Sequence, residues 1–209
     1  MTMNLHRASK KPDWEKLKAR NRNYWQRLAA RTNGIVTPGN VISALGFVLV
    51  LVGLVDIFND QIFRGVALIV IGRILDVVDG ILADKTGTKS PLGEAVDASI
   101  DKIEIAAAIP VLVVKSVLMP WQAVLIALQH IGNAIFTGIA KLRKAEIHPS
   151  TSGKHFTAAQ WVAIAFYGLA EVLPQGISQV SFLLGAIAFT VSVLLGAKAL
   201  YGYAKDALA

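Results

Sequence analysis

The sequence predicts an all-α integral membrane protein, with six transmembrane helices preceded by an N-terminal cytoplasmic amphipathic helix. Three observations predict it. Hydrophobic residues make up 54% of the 209-residue chain and charged residues only 17%, against roughly a quarter charged in an ordinary soluble domain. The mean hydropathy is +0.53. The apolar residues gather into six runs near the ~20 residues that a bilayer demands of a helix, and lysine and arginine crowd into alternate connections. This composition excludes a disordered chain and counts against a soluble globular enzyme. With no cysteine, a disulfide framework, a zinc–thiolate centre, an iron–sulfur cluster and a cysteine nucleophile are all excluded. The net charge of +7 beside long apolar runs favours membrane lipids over nucleic acid as the electrostatic partner.

Residues 1–36 form a basic juxtamembrane segment. Trp14, Leu17, Asn21, Tyr24, Trp25 and Leu28 recur there at helical spacing between basic positions, the pattern of an amphipathic helix in the headgroup layer; a frayed basic tail is the alternative. The segment is too long and basic for a signal peptide's n-region, and no small-residue cleavage site follows the first span. Thr37-Pro38-Gly39 breaks it from the membrane domain, residues 37–209. The spans are expected at Val41–Phe58, Ile62–Ile81, Leu92–Val114, Leu118–Ile139, Ala158–Val172 and Ile177–Leu200, the fifth being the shortest. The connectors are Asn59-Asp60-Gln61, Ala83–Pro91, Met119-Pro120, Lys141–Thr157 and Pro174-Gln175-Gly176.

Orientation follows from the basic flanks. The N-terminal tail carries nine Lys and Arg residues; Lys85, Lys89, Lys141, Arg143, Lys144, Lys154, Lys198 and Lys205 fall on the same side, making 17. The opposite side has only Arg64 and Lys115, so both termini of this multi-pass protein are expected in the cytoplasm.

The chemistry concentrates at the junction of spans two and three. At 100° per residue, Asp76, Asp79, Gly80 and Ala83 share an arc of roughly 100°. Gly93, Asp97, Asp101 and Glu104 share a similar arc on the third span, with Glu94 at its edge and Lys102 pointing away. The short connector predicts antiparallel neighbours whose four aspartates converge near the cytoplasmic surface. Each acid costs about 2.5–3.5 kcal/mol at a helix centre, less near the interface, and together they repel. Hard divalent ions, Mg²⁺ or Mn²⁺, relieve both problems through carboxylate oxygens. The small residues leave room beside the acids for a flat or phosphate-bearing ligand. The competing explanation is close helix packing through small residues, with Arg73 or Lys102 pairing stray acids. For Arg73, one turn before Asp76, a local ion pair and a substrate contact stand as alternatives.

Asp76-x-x-Asp79-Gly80-x-x-Ala83, followed by Gly93-x-x-x-Asp97-x-x-x-Asp101, fixes seven identities over 26 positions. It resembles the signature of the CDP-alcohol phosphotransferase family, membrane enzymes that displace CMP from a CDP-linked lipid or alcohol. The likeness extends to six spans, the amphipathic N-terminal helix and the Thr37-Pro38-Gly39-Asn40 start of span one. The resemblance implies that Asp76, Asp79, Asp97 and Asp101 hold two Mg²⁺ or Mn²⁺ ions, and that Asp101 is the catalytic base. It implies that Gly80, Ala83 and Gly93 floor the cytidine nucleotide, that CDP-diacylglycerol is the donor, and that the protein is a homodimer. One departure is Asp84, where the family usually has arginine; the following Lys85 is a candidate phosphate contact.

The acceptor is read from the cytoplasmic loop. Gly153-Lys154-His155-Phe156-Thr157-Ala158-Ala159-Gln160 resembles the Gly-Lys-x-x-Thr-x-x-Gln stretch of phosphatidylglycerophosphate and cardiolipin synthases. Lys141, Arg143 and Lys154 therefore become candidates for an anionic polar alcohol, glycerol 3-phosphate first; for Lys141 and Arg143, charge that merely sets topology is the alternative. A second departure is Gln129-His130, where phosphatidylglycerophosphate synthases show Arg-Glu. His130 is either a packing residue or a catalytic one. Inositol phosphate or phosphatidylglycerol as acceptor, a divalent-cation transporter built on the same acids, and a catalytically silent relative are the other readings of this chain.

Overall fold

The computed structural model describes residues 24–32, 36–88, 91–143 and 151–208, with the backbone alone at 91–95, 98, 141, 151, 154 and 208. Seven α-helices make up the fold of these residues: α1 (Tyr24–Arg31), α2 (Pro38–Phe58), α3 (Ile62–Thr86), α4 (Pro91–Val114), α5 (Pro120–Leu142), α6 (Thr151–Ala170) and α7 (Gln175–Leu208). Among the described residues, α2, α5 over Pro120–Ala140 and α7 over Gln175–Ala207 are long and apolar enough to cross a membrane. Their outward faces are apolar: Val41, Leu45, Val48, Val52 and Val55 on α2, and Ile177, Val180, Leu183, Ile187 and Leu194 on α7, are all exposed. Apolar faces this extensive belong against lipid, and the protein is a membrane protein.

Local chemistry sets the helix ends. Thr37 Oγ1 accepts from the Asn40 N–H at 3.0 Å, and Pro38 occupies the first helical turn, so α2 starts at a capped, pre-formed turn. Gly87, with φ 62°, takes the left-handed position that closes α3. That end lies past the predicted span end at Ile81 and inside the predicted connector Ala83–Pro91: a hydropathy boundary marks where lipid exposure fades, and the helix continues as far as its cap. For the same reason α6 begins at Thr151, inside the expected loop Lys141–Thr157, and α7 runs eight residues past Leu200. Of the predicted amphipathic positions, Trp14, Leu17 and Asn21 lie outside the described residues. Tyr24, Trp25 and Leu28 lie on α1, which is tied to the end of α3 by Gln26 Nε2 donating to Thr86 O at 3.0 Å.

The packing is uneven. α2 lies closely along α3, and α6 along α7; α5 packs on α7, α4 on α2, and α3 on α6. The α2–α3 contact runs backbone to backbone. A Cβ at Gly53 would stand 2.6 Å from Gly65 O, and one at Gly46 would stand 2.8 Å from Gly72 O. Gly39, Ser43, Gly46, Val50 and Gly53 form the buried stripe of α2 that makes this approach possible. Val50, Leu54, Ile57, Val66, Ile69, Ile105, Leu112, Ile164 and Phe189 fill the adjoining core. At the end of the bundle away from Gly87, Lys115 Nζ meets Asp60 Oδ1 at 2.6 Å and joins the α2–α3 and α4–α5 turns.

The glycine contact yields a stability prediction. Gly65→Ala would place its Cβ 2.5 Å from Gly53 O, so thermal unfolding in detergent should show a loss of about 1–3 kcal/mol. Gly202→Ala, where a Cβ meets nothing within 4 Å, should be neutral or slightly stabilising. Equal effects at the two positions would contradict backbone contact as the origin.

Candidate active site

Helix α3 carries Asp76 and Asp79 about one turn apart, and α4 carries Asp97 and Asp101. Their helices are not a tightly packed pair. Among the described residues, α3 and α4 each lean on α2, and neither packs its backbone closely on the other. The expected antiparallel neighbours are therefore the two walls of a gap. The reason is steric: α3 spends its glycine face on α2, and of its acids Asp79 also turns to α2 while Asp76 reaches α4 only through Arg73.

Arg73 spans that gap. Its Nη2 lies 2.9 Å from Asp76 Oδ2 on its own helix and 2.9 Å from Asp101 Oδ1 on α4. Its Nη1 donates to Glu104 Oε2 at 2.5 Å. The guanidinium carbon sits 5.3 Å from the ring centroid of Trp161 on α6, a cation–π distance. Three carboxylates thus surround one guanidinium whose side chain is 16% exposed. The two ends of this arrangement differ: the Glu104 side chain is 2% exposed, those of Asp76 and Asp101 30% and 36%. Glu104 is an interior anchor, and the aspartates face the gap.

The remaining acids are held differently. Asp79 is buried and accepts a hydrogen bond from Ser43 Oγ on α2. Ser43 Oγ also reaches Gly39 O at 3.2 Å. Asp97 is half-buried on α4. Gly80 is exposed, with nothing within 4 Å of where a Cβ would stand. Ala83 instead lies against α2, its Cβ 3.4 Å from the Cβ position of Gly39. Gly93 is described in its backbone only. Asp84 and Lys85 are exposed at the end of α3.

Of the acceptor candidates, Arg143 has a described side chain, and it is engaged at the end of α7. Arg143 Nη1 donates to Ala207 O at 2.9 Å, capping the end of α7; the side chains of Lys141 and Lys154 lie outside the described residues. His130 shares a 2.9 Å hydrogen bond with Gln160 Oε1 and packs on the Phe156 ring at 5.0 Å. That pairing joins the His130 side chain on α5 to α6. Its neighbour Gln129 donates to Val193 O at 2.9 Å.

Residues 36–195 match the family model described as CDP-alcohol phosphatidyltransferase. The chain belongs to this family. Two relatives, each described as a probable phosphatidylglycerophosphate synthase, come from two strains of Mycobacterium tuberculosis. Each is 30% identical to this transferase over 163 residues, covering 75% of this chain and 78% of theirs. No solved structure matches it significantly.

As a CDP-alcohol phosphatidyltransferase, the protein is an enzyme of phospholipid biosynthesis. The donor atoms at the gap suit the divalent ions usual in such enzymes: they are hard carboxylate oxygens, and two of them already converge on a positive group. As the side chains stand, no three described acids or histidines close around a single point; the guanidinium takes the place where Asp76 and Asp101 meet.

Sequence reasoning missed three residues of this site. Ser43 was hidden among the small residues of α2, although its spacing from Gly39 and Gly46 puts it on the stripe facing α3. Glu104 falls on the aspartate arc and received no role. Trp161 follows the buried Gln160 and carries no signal in the sequence. For the transferase, Ser43→Ala removes the hydrogen bond that orients Asp79. CMP release should fall by about 10–100-fold with little change in unfolding temperature. Unchanged turnover would show that Asp79 needs no support from α2.

Proposed function

We propose that this transferase moves the phosphatidyl group of CDP-diacylglycerol to glycerol 3-phosphate, releasing CMP, with two Mg²⁺ or Mn²⁺ ions held by Asp76, Asp79, Asp97 and Asp101. The observation that carries the reading is the meeting of Asp76 and Asp101 from opposite walls on one cationic group, beside the open face of Gly80. Six spans with both termini in the cytoplasm would place this gap near the inner surface. There the nucleotide arrives from water while the acyl chains stay among lipid-facing helices. The 17-to-2 division of basic residues supports that topology. Within it, α1 would lie in the headgroup layer, with Tyr24 and Trp25 exposed.

In the reaction, the acceptor hydroxyl oxygen attacks the phosphorus that bears the diacylglycerol, and the bond from that phosphorus to the CMP oxygen breaks. Divalent ions, when bound, supply neutralisation of the pyrophosphate and of the departing CMP. Asp101 is the carboxylate best placed to take the hydroxyl proton, because it stands on the gap wall with its side chain 36% exposed. Asp79, tied to Ser43, fixes one side of the donor set. Gly80 lets the nucleotide approach the α3 backbone, with Lys85 at the outer end of the same helix for a phosphate. With Arg143 engaged at the end of α7, recognition of the acceptor phosphate falls chiefly to Lys141 and Lys154. The relatives' description as phosphatidylglycerophosphate synthases supports glycerol 3-phosphate as the acceptor.

The test is CMP release by the purified protein given CDP-diacylglycerol and, in turn, glycerol 3-phosphate, inositol phosphate and phosphatidylglycerol. Glycerol 3-phosphate should be preferred, and EDTA should stop the reaction. Asp101→Asn should lower kcat by about 10²–10⁴-fold, and Lys154→Ala should raise the acceptor KM. Preference for another alcohol would overturn the acceptor assignment, and full activity of Asp101→Asn would overturn the base.

A further inference from the structure

The arginine at the centre of the acidic gap belongs neither to the aspartate signature nor to the reaction just derived. Its surroundings define two sets of partners. On the inner side it is anchored: Glu104 is 1% exposed, its Oε2 is 2.5 Å from Nη1, and the guanidinium lies over Trp161. On the outer side, a single nitrogen, Nη2, serves both Asp76 and Asp101 at 2.9 Å. Buried carboxylates without a counter-charge are costly, and losing one partner of such a cluster leaves the rest uncompensated. A guanidinium carries its charge at any working pH and offers a rigid fork of donors. It can hold several acids at once without closing a coordination sphere.

We propose that Arg73 is an internal counter-cation of the α3–α4 gap. It holds Asp76 and Asp101 together while no divalent ion is bound, and yields them when ions load. Throughout, it stays docked on Glu104 and Trp161. Arg73 is a positioning residue on this view, and Glu104 acts through it by drawing the guanidinium to the inner side. The inference rests on the divalent-cation reading of the aspartates. Its consequence is competition: Arg73 lowers the apparent affinity for the ions whose site it keeps assembled, since ligand and guanidinium share two carboxylates.

Mn²⁺ binding to the full-length protein in detergent, followed by the electron paramagnetic resonance of free Mn²⁺, tests this with a double-mutant cycle. Arg73→Gln should tighten Mn²⁺ binding about tenfold and lower the unfolding temperature in EDTA. Glu104→Gln should weaken Mn²⁺ binding, because the freed guanidinium returns to the aspartates. In the Arg73→Gln background, Glu104→Gln should have no further effect. If Glu104→Gln weakens binding equally in both backgrounds, Glu104 acts by its own charge and the proposal fails. It fails equally if Arg73→Gln leaves the affinity unchanged or weakens it. If neither the wild type nor any variant holds Mn²⁺, the cation site itself is wrong. Should Arg73→Gln not fold, Arg73→Lys carries the same cycle, with a smaller tightening in the same direction.

Discussion

The gap between α3 and α4 depends on one cluster of charges: a half-enclosed guanidinium with carboxylates from both helices around it. In an apolar bundle each of these groups would be expensive alone, and they are affordable only together. Remove the arginine and the Glu104 carboxyl is left in the interior without a partner. Remove the acids and a guanidinium is stranded beside Trp161. The cluster therefore links the acidic face of α3 to that of α4 where the backbones do not pack. It also connects both to α6 through the indole ring.

The rest of the fold makes that gap possible. Glycines bring α2 and α3 to backbone contact, which fixes the rotation of α3 and turns Asp76 away from α2 while Asp79 reaches back to Ser43. α4 is supported by α2 as well, so one helix holds both walls in place. On the far side, α6 and α7 form a second tight pair, clamped by Ser178 Oγ on Ala170 O at 2.6 Å and Ser181 Oγ on Phe166 O at 2.7 Å. Rigid pairs flanking an open, polar gap are a suitable frame for chemistry on a lipid-borne nucleotide, because the site is held by helices and not by loops.

Much of this was legible in the sequence. Helical periodicity put the aspartates on two faces, and the run lengths gave six long helices in the right order, because both signals are local. The ends of the helices were less legible. Gly87 closes α3 through a left-handed cap, and α6 starts at Thr151 within a polar stretch; hydropathy registers neither. The acid-bearing helices were expected as antiparallel neighbours, and Arg73 does join their faces through Asp76 and Asp101. That their backbones stay apart was not legible, because the glycine contact on the other face of α3 decides which helix it packs on most closely. Arg73 illustrates the same limit. Its spacing allowed a pair with Asp76, but Asp101, Glu104 and Trp161 come from elsewhere in the chain, and only the folded arrangement brings them to one guanidinium. His130 was ambiguous as an isolated polar residue until Gln160, thirty positions on, supplied its hydrogen bond.

The most direct measurement is an anomalous-scattering map from crystals of the protein grown with Mn²⁺. Shared cations between the walls predict two peaks about 4 Å apart, within bonding distance of Asp76, Asp79, Asp97 and Asp101. A well-ordered map with no peak between α3 and α4, or with Mn²⁺ held only elsewhere, would contradict a cation site built from the two acidic faces.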